Sequence, residues 1–281
     1  MDQLFGLQHR RNTFRILETY IVFQTIRWPL HMINHGDFTM HSLISYVTFP
    51  QPQLWYLLSL FYWRIMVMVI PQSTLARKPF LILATCFFIS LFGGFIPVNH
   101  MLSVQRTLTF LPFFFMGYYS TEINIKNYIK SIHIFASIAT LSIVFLLYYF
   151  LFDFDIKFAL GGKTSYWSYP LLPVSPFLVR CICLATATIL GISLMRIVLA
   201  FPFQSILSKL GSKTLVIYIY HGFVIWILKI LVTHNCLPGN EMLLFIYAII
   251  ITLGLYFLSR YKPFIILLNP ISWYRERKSK N

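Results

Sequence analysis

The chain has 281 residues, of which 58% are hydrophobic and only 11% are charged, a composition far from that of soluble domains. Its formal net charge is +15, which in a soluble protein would suggest a nucleic-acid partner. Here, however, the basic residues lie mainly in short segments between apolar stretches and at the termini, the pattern that orients membrane proteins. We therefore exclude a nucleic-acid partner and predict an all-α fold, a polytopic membrane helix bundle.

Eight apolar segments predict about eight transmembrane helices, because one span needs about 20 mainly apolar residues. In chain order they are 16–33, 53–71, 79–97, 107–120, 131–152, 175–200, 213–233 and 242–259. The first is unusual because it carries Glu18 and Arg27, and the fourth because it is short and contains Pro112 and Gly117.

The basic residues between these segments predict the orientation. With the N-terminus inside, fifteen fall on the inside and only three, Arg106, Lys157 and Lys163, on the outside. This bias predicts that both termini are cytoplasmic. We predict one integral-membrane domain over residues 1–281, with a basic cytoplasmic tail at 270–281. The longest outside loop, 153–174, carries aromatic residues that suit a sugar ring or an interfacial aromatic belt.

His221 is the most informative residue, because it lies in an apolar segment where a polar ring is costly without a partner or a function. On a helix it shares one face with Tyr218 and Thr214, so all three should face a protein interior or a wet cavity. Histidine is the commonest general base. The alternative is a structural histidine bonded to a neighbouring helix.

Other polar residues offer weaker signals. Arg64 lies within the second segment and calls for a carboxylate partner, for which Glu18 and Glu122 are the candidates. Histidines at positions 31, 35 and 41 share an outside loop with Asp37. Their spacing is too loose to indicate zinc, so we predict no metal site.

Four segments resemble, in order, conserved stretches of the acyltransferase 3 family, and above all of its fucose 4-O-acetylase-like branch. They are 15–23 (RILETYIVF), 53–64 (QLWYLLSLFYWR), 106–118 (RTLTFLPFFFMGY) and 210–221 (LGSKTLVIYIYH). The resemblance spans nearly the whole chain. It implies a bacterial cytoplasmic-membrane enzyme of the class that transfers acyl groups other than amino-acyl groups.

The resemblance also implies the chemistry and the residues. An acetyl group would pass from cytoplasmic acetyl-CoA, with no bound cofactor, to an extracytoplasmic sugar or surface polysaccharide. The catalytic candidates are His221, Tyr218 and Arg106. His221 would act as the base or support a missing base, and Tyr218 would orient it. Arg106 would hold a glycan, a carboxylate or the reacting acyl oxygen. The candidates for binding substrate or coenzyme A are Arg15, Arg64, Trp55 and Thr214. Three of these residues also have an alternative without a catalytic role. Arg15 would set the membrane orientation, Arg106 would extend its guanidinium to the membrane surface, and Trp55 would anchor its helix at the membrane–water interface.

One departure from the family pattern affects the expected activity. Members usually begin with a helix pair that carries an arginine and a histidine, and nothing similar precedes Arg15. We expect an N-terminally shortened member with little activity alone, unless a partner chain supplies the missing helices. Two alternatives are a transporter or flippase for a lipid-linked glycan, which would have inverted repeats, and a non-catalytic membrane scaffold. If the chain is an enzyme, Arg64, Arg106 and His221 should line one polar cavity.

Overall fold

The computed structural model describes residues 2–35, 39–50, 53–98, 101–120, 125–151, 162–168, 175–202, 204–233 and 241–278. Within them the chain forms α-helices and three short 3₁₀ turns, Gly93–Phe95, Met101–Ser103 and Tyr166–Ser168, and no strand. The helices are α1 Asp2–His35, α2 Met40–Thr48, α3 Trp55–Val69, α4 Gln72–Arg77, α5 Pro79–Phe92, α6 Val104–Tyr119, α7 Ile125–Ser131, α8 Ile134–Leu151, α9 Pro176–Ala200, α10 Gln204–Gly211, α11 Thr214–Thr233, α12 Glu241–Leu258, α13 Lys262–Leu268 and α14 Pro270–Lys278. The predicted all-α class is confirmed for these residues.

Proline sets several of the helix starts. Pro79, Pro176 and Pro270 are the first residues of α5, α9 and α14. The proline ring holds φ near its helical value, and the missing N–H is not needed in a first turn. These boundaries therefore follow from local sequence.

Each of the eight predicted segments coincides with one helix, although α1 begins well before residue 16. By length and apolar composition, one described helix, α9, can cross a membrane by itself. Two bent pairs raise the number to three if each is a single span: α7 with α8, bent by 84°, and α12 with α13, bent by 93°. The apolar helices α3, α5 and α11 are shorter. The fold is consistent with a membrane helix bundle, and the count of about eight spans stays a prediction.

The chain divides into two compact units, so the single domain also stays a prediction. The first unit comprises residues 1–61 and 205–281. In it α11 packs against α12, and α1 packs against α13. The buried ring of Phe23 on α1 meets the rings of Tyr220 and Phe223 edge-on, with centroids 5.4 and 5.8 Å away. The segment predicted as a basic tail is helical through Lys278 as α14.

The second unit comprises residues 62–204 and is built on two helix pairs, α5 with α6 and α8 with α9. The buried indole of Trp63 donates a hydrogen bond to the carbonyl of Thr107 (2.9 Å) and stacks on Phe114. Where α6 ends, Tyr119 donates to the carbonyl of Leu75 in α4 (3.1 Å). These bonds hold α3, α4 and α6 together.

Candidate active site

His221 lies on α11 and is half-buried. Its Nδ1 is 3.2 Å from the carbonyl oxygen of Ile217, one turn earlier. A carbonyl oxygen can only accept, so we assign the proton to Nδ1, which leaves Nε2 as the basic nitrogen. Within the described residues His221 makes no other hydrogen bond. Nε2 can therefore accept a proton from a bound hydroxyl.

Tyr218 stands beside this imidazole, with ring centroids 5.5 Å apart. Its hydroxyl donates a short hydrogen bond to the backbone carbonyl of Gln53. The close approach of Gln53 to α11 requires a glycine at position 222, because a Cβ on Gly222 would lie 2.8 Å from Cγ of Gln53. The segment before α3 is thereby fixed against α11, and the ring of Tyr218 is held in place.

Two more aromatic rings extend this cluster along the start of α3. The ring of Tyr56 meets Tyr218 edge-on at 5.7 Å, and Trp55 meets Tyr56 at 6.0 Å. Trp55 is half-buried. The structure therefore brings His221, Tyr218 and Trp55 into one group, which we call the His221 cluster: Gln53, Trp55, Tyr56, Tyr218 and His221.

The opposite side of α11 is packed for stability. Tyr220 donates to the carbonyl of Phe264 in α13 (3.1 Å) and meets the ring of Phe264 at 5.3 Å. Together with the Phe23 contact, this fixes the rotation of α11 about its axis. That rotation decides which side chains of α11 face Gln53.

A second polar group lies in the other unit and is centred on Arg180 of α9. Arg180 is only 5% exposed. Its guanidinium donates to the carbonyls of Ser90 (3.3 Å) and Thr164 (3.2 Å) and lies 4.6 Å from the ring centroid of Tyr166. A buried charge needs such compensation. Arg180 thus clamps the segment 162–168 to the end of α5.

Tyr166 completes this clamp. Its hydroxyl donates to the carbonyl of Leu91 (2.7 Å), and its ring covers Gly94, where any side chain would overlap it. Burial raises the pKa of Tyr166 to about 12, against the opposing effect of Arg180 and with a further rise from Cys181. Tyr166 therefore remains a neutral donor at physiological pH.

The clamp continues into α6 through buried amide and hydroxyl groups. Gln105 donates to the carbonyls of Gly93 (3.1 Å) and Ile96 (2.7 Å), in addition to the backbone N–H groups of Ile96 and Val98 that these carbonyls accept. Thr109 bonds the carbonyl of Gly162 (3.4 Å), whose φ of +54° is a left-handed conformation that favours glycine. The loop segment 162–168, α5 and α6 form one rigid corner.

One aromatic ring at this corner stays accessible. Trp167 is 68% exposed, and its indole N–H donates to the carbonyl of Phe95 (2.8 Å). This bond orients the ring and leaves a large area of it open. The exposed face of this indole is flat and apolar, and its polar N–H group already has a hydrogen-bond acceptor.

The comparison with known families identifies the family of the chain. A family model described as an acyltransferase domain, that of the acyltransferase 3 family, matches residues 6–261. The chain belongs to the acyltransferase 3 family. No curated protein and no solved structure matches the chain.

Because the chain belongs to the acyltransferase 3 family, the predicted site residues are candidates for a role in acyl transfer. Thr214 begins α11 and is exposed, with its hydroxyl bonded to the carbonyl of Gly211 (2.6 Å) rather than to the His221 cluster. Arg15 is half-buried on α1, in the same unit. Arg64 and Arg106 are half-buried in the other unit. Their roles, and a cavity shared with His221, stay predictions.

Two carboxylates were candidate partners of Arg64. Glu18 accepts bonds from the first turn of α14: from the N–H of Ile271 (2.6 Å) and from the N–H and Oγ of Ser272 (3.1 and 2.7 Å). Positive N–H groups at a helix start attract a carboxylate. The other candidate, Glu122, lies outside the described residues, as do Asp37 and most of the loop 153–174.

Arg180 is the residue that sequence reasoning missed. It lies within the predicted segment 175–200. An arginine five residues into such a helix should be treated as a functional candidate.

Proposed function

We propose that this member of the acyltransferase 3 family is a membrane O-acetyltransferase. It would transfer an acetyl group from cytoplasmic acetyl-CoA to a hydroxyl of an extracytoplasmic sugar or surface polysaccharide, as the resemblance to the fucose 4-O-acetylase-like branch implies. The family match is the evidence for acyl transfer. The donor, the acceptor and the residue roles are the proposal.

The observation that carries the mechanism is the hydrogen bond between His221 Nδ1 and Ile217. With Nδ1 protonated, Nε2 removes the proton from the acceptor hydroxyl while that oxygen attacks the thioester carbonyl carbon. The carbon–sulfur bond then breaks, and the leaving thiolate takes the proton back from the imidazolium. The acetyl group ends on the sugar, and coenzyme A leaves as the thiol.

The remaining residues receive supporting roles. Tyr218 orients His221 through their ring contact, and Arg106 would stabilise the developing oxyanion. Arg15 suits the phosphates of coenzyme A, because a guanidinium binds them with paired hydrogen bonds. Arg64, Trp55 and Thr214 would contact substrate. The exposed ring of Trp167 supports a sugar acceptor.

We also propose a bacterial cytoplasmic membrane as the location, with both termini cytoplasmic. The second unit supports this orientation. Segments predicted to lie outside meet at one end, where Arg180 joins the 162–168 segment to the end of α5. Two segments that are predicted to lie inside, the end of α6 and the helix α4, are joined by the hydrogen bond from Tyr119 to the carbonyl of Leu75.

The test uses the protein in proteoliposomes with radiolabelled acetyl-CoA and a panel of fucose-containing and other surface glycans. Radiolabel allows slow turnover to be measured. We expect His221→Ala to lower transfer by about 10²–10⁴-fold, the usual contribution of a positioned base. His133→Ala is the matched control, because His133 is exposed in the turn between α7 and α8.

Two outcomes would contradict the proposal. Equal transfer by wild type and His221→Ala would remove His221 as the base. Acetyl-CoA hydrolysis with no labelled glycan, across the whole panel, would contradict sugar acetylation itself.

A further inference from the structure

A groove of about 750 Å³ lies within the second unit, between the last turns of α6, the short helix α7 and the second half of α9. This volume is within the range of about 300–1,000 Å³ that is usual for ligand sites. Its walls are mostly apolar, and they include Phe113, Met116, Ile129, Ile192, Met195 and Leu199.

The wall carries few polar groups, among them the hydroxyls of Thr188, Ser120 and Tyr128. The hydroxyl of Thr188 donates to the carbonyl of Leu184 (2.8 Å), and that of Ser120 to the carbonyl of Gly117 (2.6 Å). Both hydroxyls are therefore already used within their own helices. Gly117 and Gly191 both face open space, since a Cβ at either position would have no atom within 4 Å. The groove is an apolar slot with unfilled room.

The lining of this slot includes a positive charge. Lys126 of α7 is exposed, and it is the charged residue among the described residues that line the groove. The helix α7 is bent by 84° from α8. If α8 crosses the bilayer, α7 therefore lies along the membrane surface, with Lys126 at the depth of the lipid phosphates.

We propose that the groove binds one anionic phospholipid, with an acyl chain between α6 and α9 and the phosphate at Lys126. An apolar slot with one exposed cation in its lining matches the apolar chain and the charge of such a lipid. Anionic lipids are enriched in the cytoplasmic leaflet, towards which basic residues are attracted. The proposal rests on a membrane location with Lys126 on the cytoplasmic side, and it is independent of acyl transfer.

The experiment uses the full chain in nanodiscs that contain equal amounts of phosphatidylglycerol and phosphatidylcholine. After release into mild detergent, native mass spectrometry counts the lipids that stay bound, and their headgroups are identified by fragmentation. Lys126→Glu removes the cation, and its matched control is Lys130→Glu, on the same helix but outside the groove. Gly191→Leu fills the groove, and its matched control is Gly254→Leu on α12, which also has open space around it.

We expect the wild type and both controls to retain one phosphatidylglycerol. Lys126→Glu should lower its retention at least about fivefold, the effect of one lysine near an anionic lipid surface. Gly191→Leu should abolish retention of either lipid without loss of folded protein, because the new side chain enters open space.

Three results would overturn the proposal. One is equal loss of lipid in Lys126→Glu and Lys130→Glu, which would indicate general surface charge. Another is retention of lipid by Gly191→Leu. The third is a dimer mass in the wild type that Gly191→Leu removes, which would make a second copy of the chain the occupant.

Discussion

At the scale of single residues, His221 and Arg180 show two different uses of a polar side chain within apolar helices. His221 keeps one ring nitrogen available, because its only hydrogen bond among the described residues is to its own helix. Arg180, in contrast, binds carbonyls from two other segments and an aromatic face, which makes it a structural clamp. The clamp in turn depends on the fit of Gly94 under the ring of Tyr166.

We expect Gly94→Ala to destabilise the protein by about 1–3 kcal/mol, the usual cost of overpacking a filled site. The added methyl group would overlap the Tyr166 ring, which is held by its bond to Leu91 and by Arg180. Thermal unfolding in detergent measures the effect. Gly191→Ala serves as the control, because open space surrounds that position. Equal melting of the two variants would show that the corner tolerates movement.

At the scale of elements, the carboxylate of Glu18 joins the first helix to the last. It accepts the first-turn N–H groups of α14, while the neighbouring Thr19 donates to Oδ1 of Asn269 (3.2 Å), just before that helix. Backbone donors at a helix start have no partner within the helix. The C-terminal helix therefore depends on α1 for its capping.

We expect Glu18→Ala to speed hydrogen exchange at the amides of Ile271 and Ser272. Loss of a cap costs about 1 kcal/mol, which corresponds to about a fivefold change in local opening. Glu18→Gln keeps one carbonyl oxygen and should give an intermediate rate. Exchange mass spectrometry in detergent measures both. Unchanged exchange in Glu18→Ala would mean that other contacts hold α14.

At the scale of the whole molecule, the alternation of inside and outside segments is the main prediction still to be tested. Within the second unit, the contacts at each end of the helices join segments that the charge pattern assigns to one side. Arg196 adds another such contact, since it donates to the carbonyl of Ile132 at the bend between α7 and α8 (2.6 Å). All these contacts agree with the orientation.

Cysteine labelling tests that orientation in a background that lacks the four native cysteines. We expect a membrane-impermeant maleimide to label Ser168→Cys in intact cells and Lys78→Cys only after the membrane is opened. Both positions are exposed, and the basic residues place them on opposite sides. The reverse labelling pattern would refute cytoplasmic termini.

The sequence by itself determined the features that depend on neighbouring residues. Apolar runs marked the helices, proline marked the starts of α5 and α9, and helical periodicity placed Tyr218 beside His221. Thr214 lies on the same helical face but at the exposed first residue of α11, which periodicity does not indicate.

Only the tertiary structure decided the partners of the charged groups. Arg180 reaches a carbonyl 90 positions away, and Glu18 caps a helix start 253 positions away. The cost of burying a charge indicates that a partner must exist, but packing between distant helices decides which group it is. The lipid groove arises in the same way, since its walls come from three helices whose individual sequences show only that they are apolar.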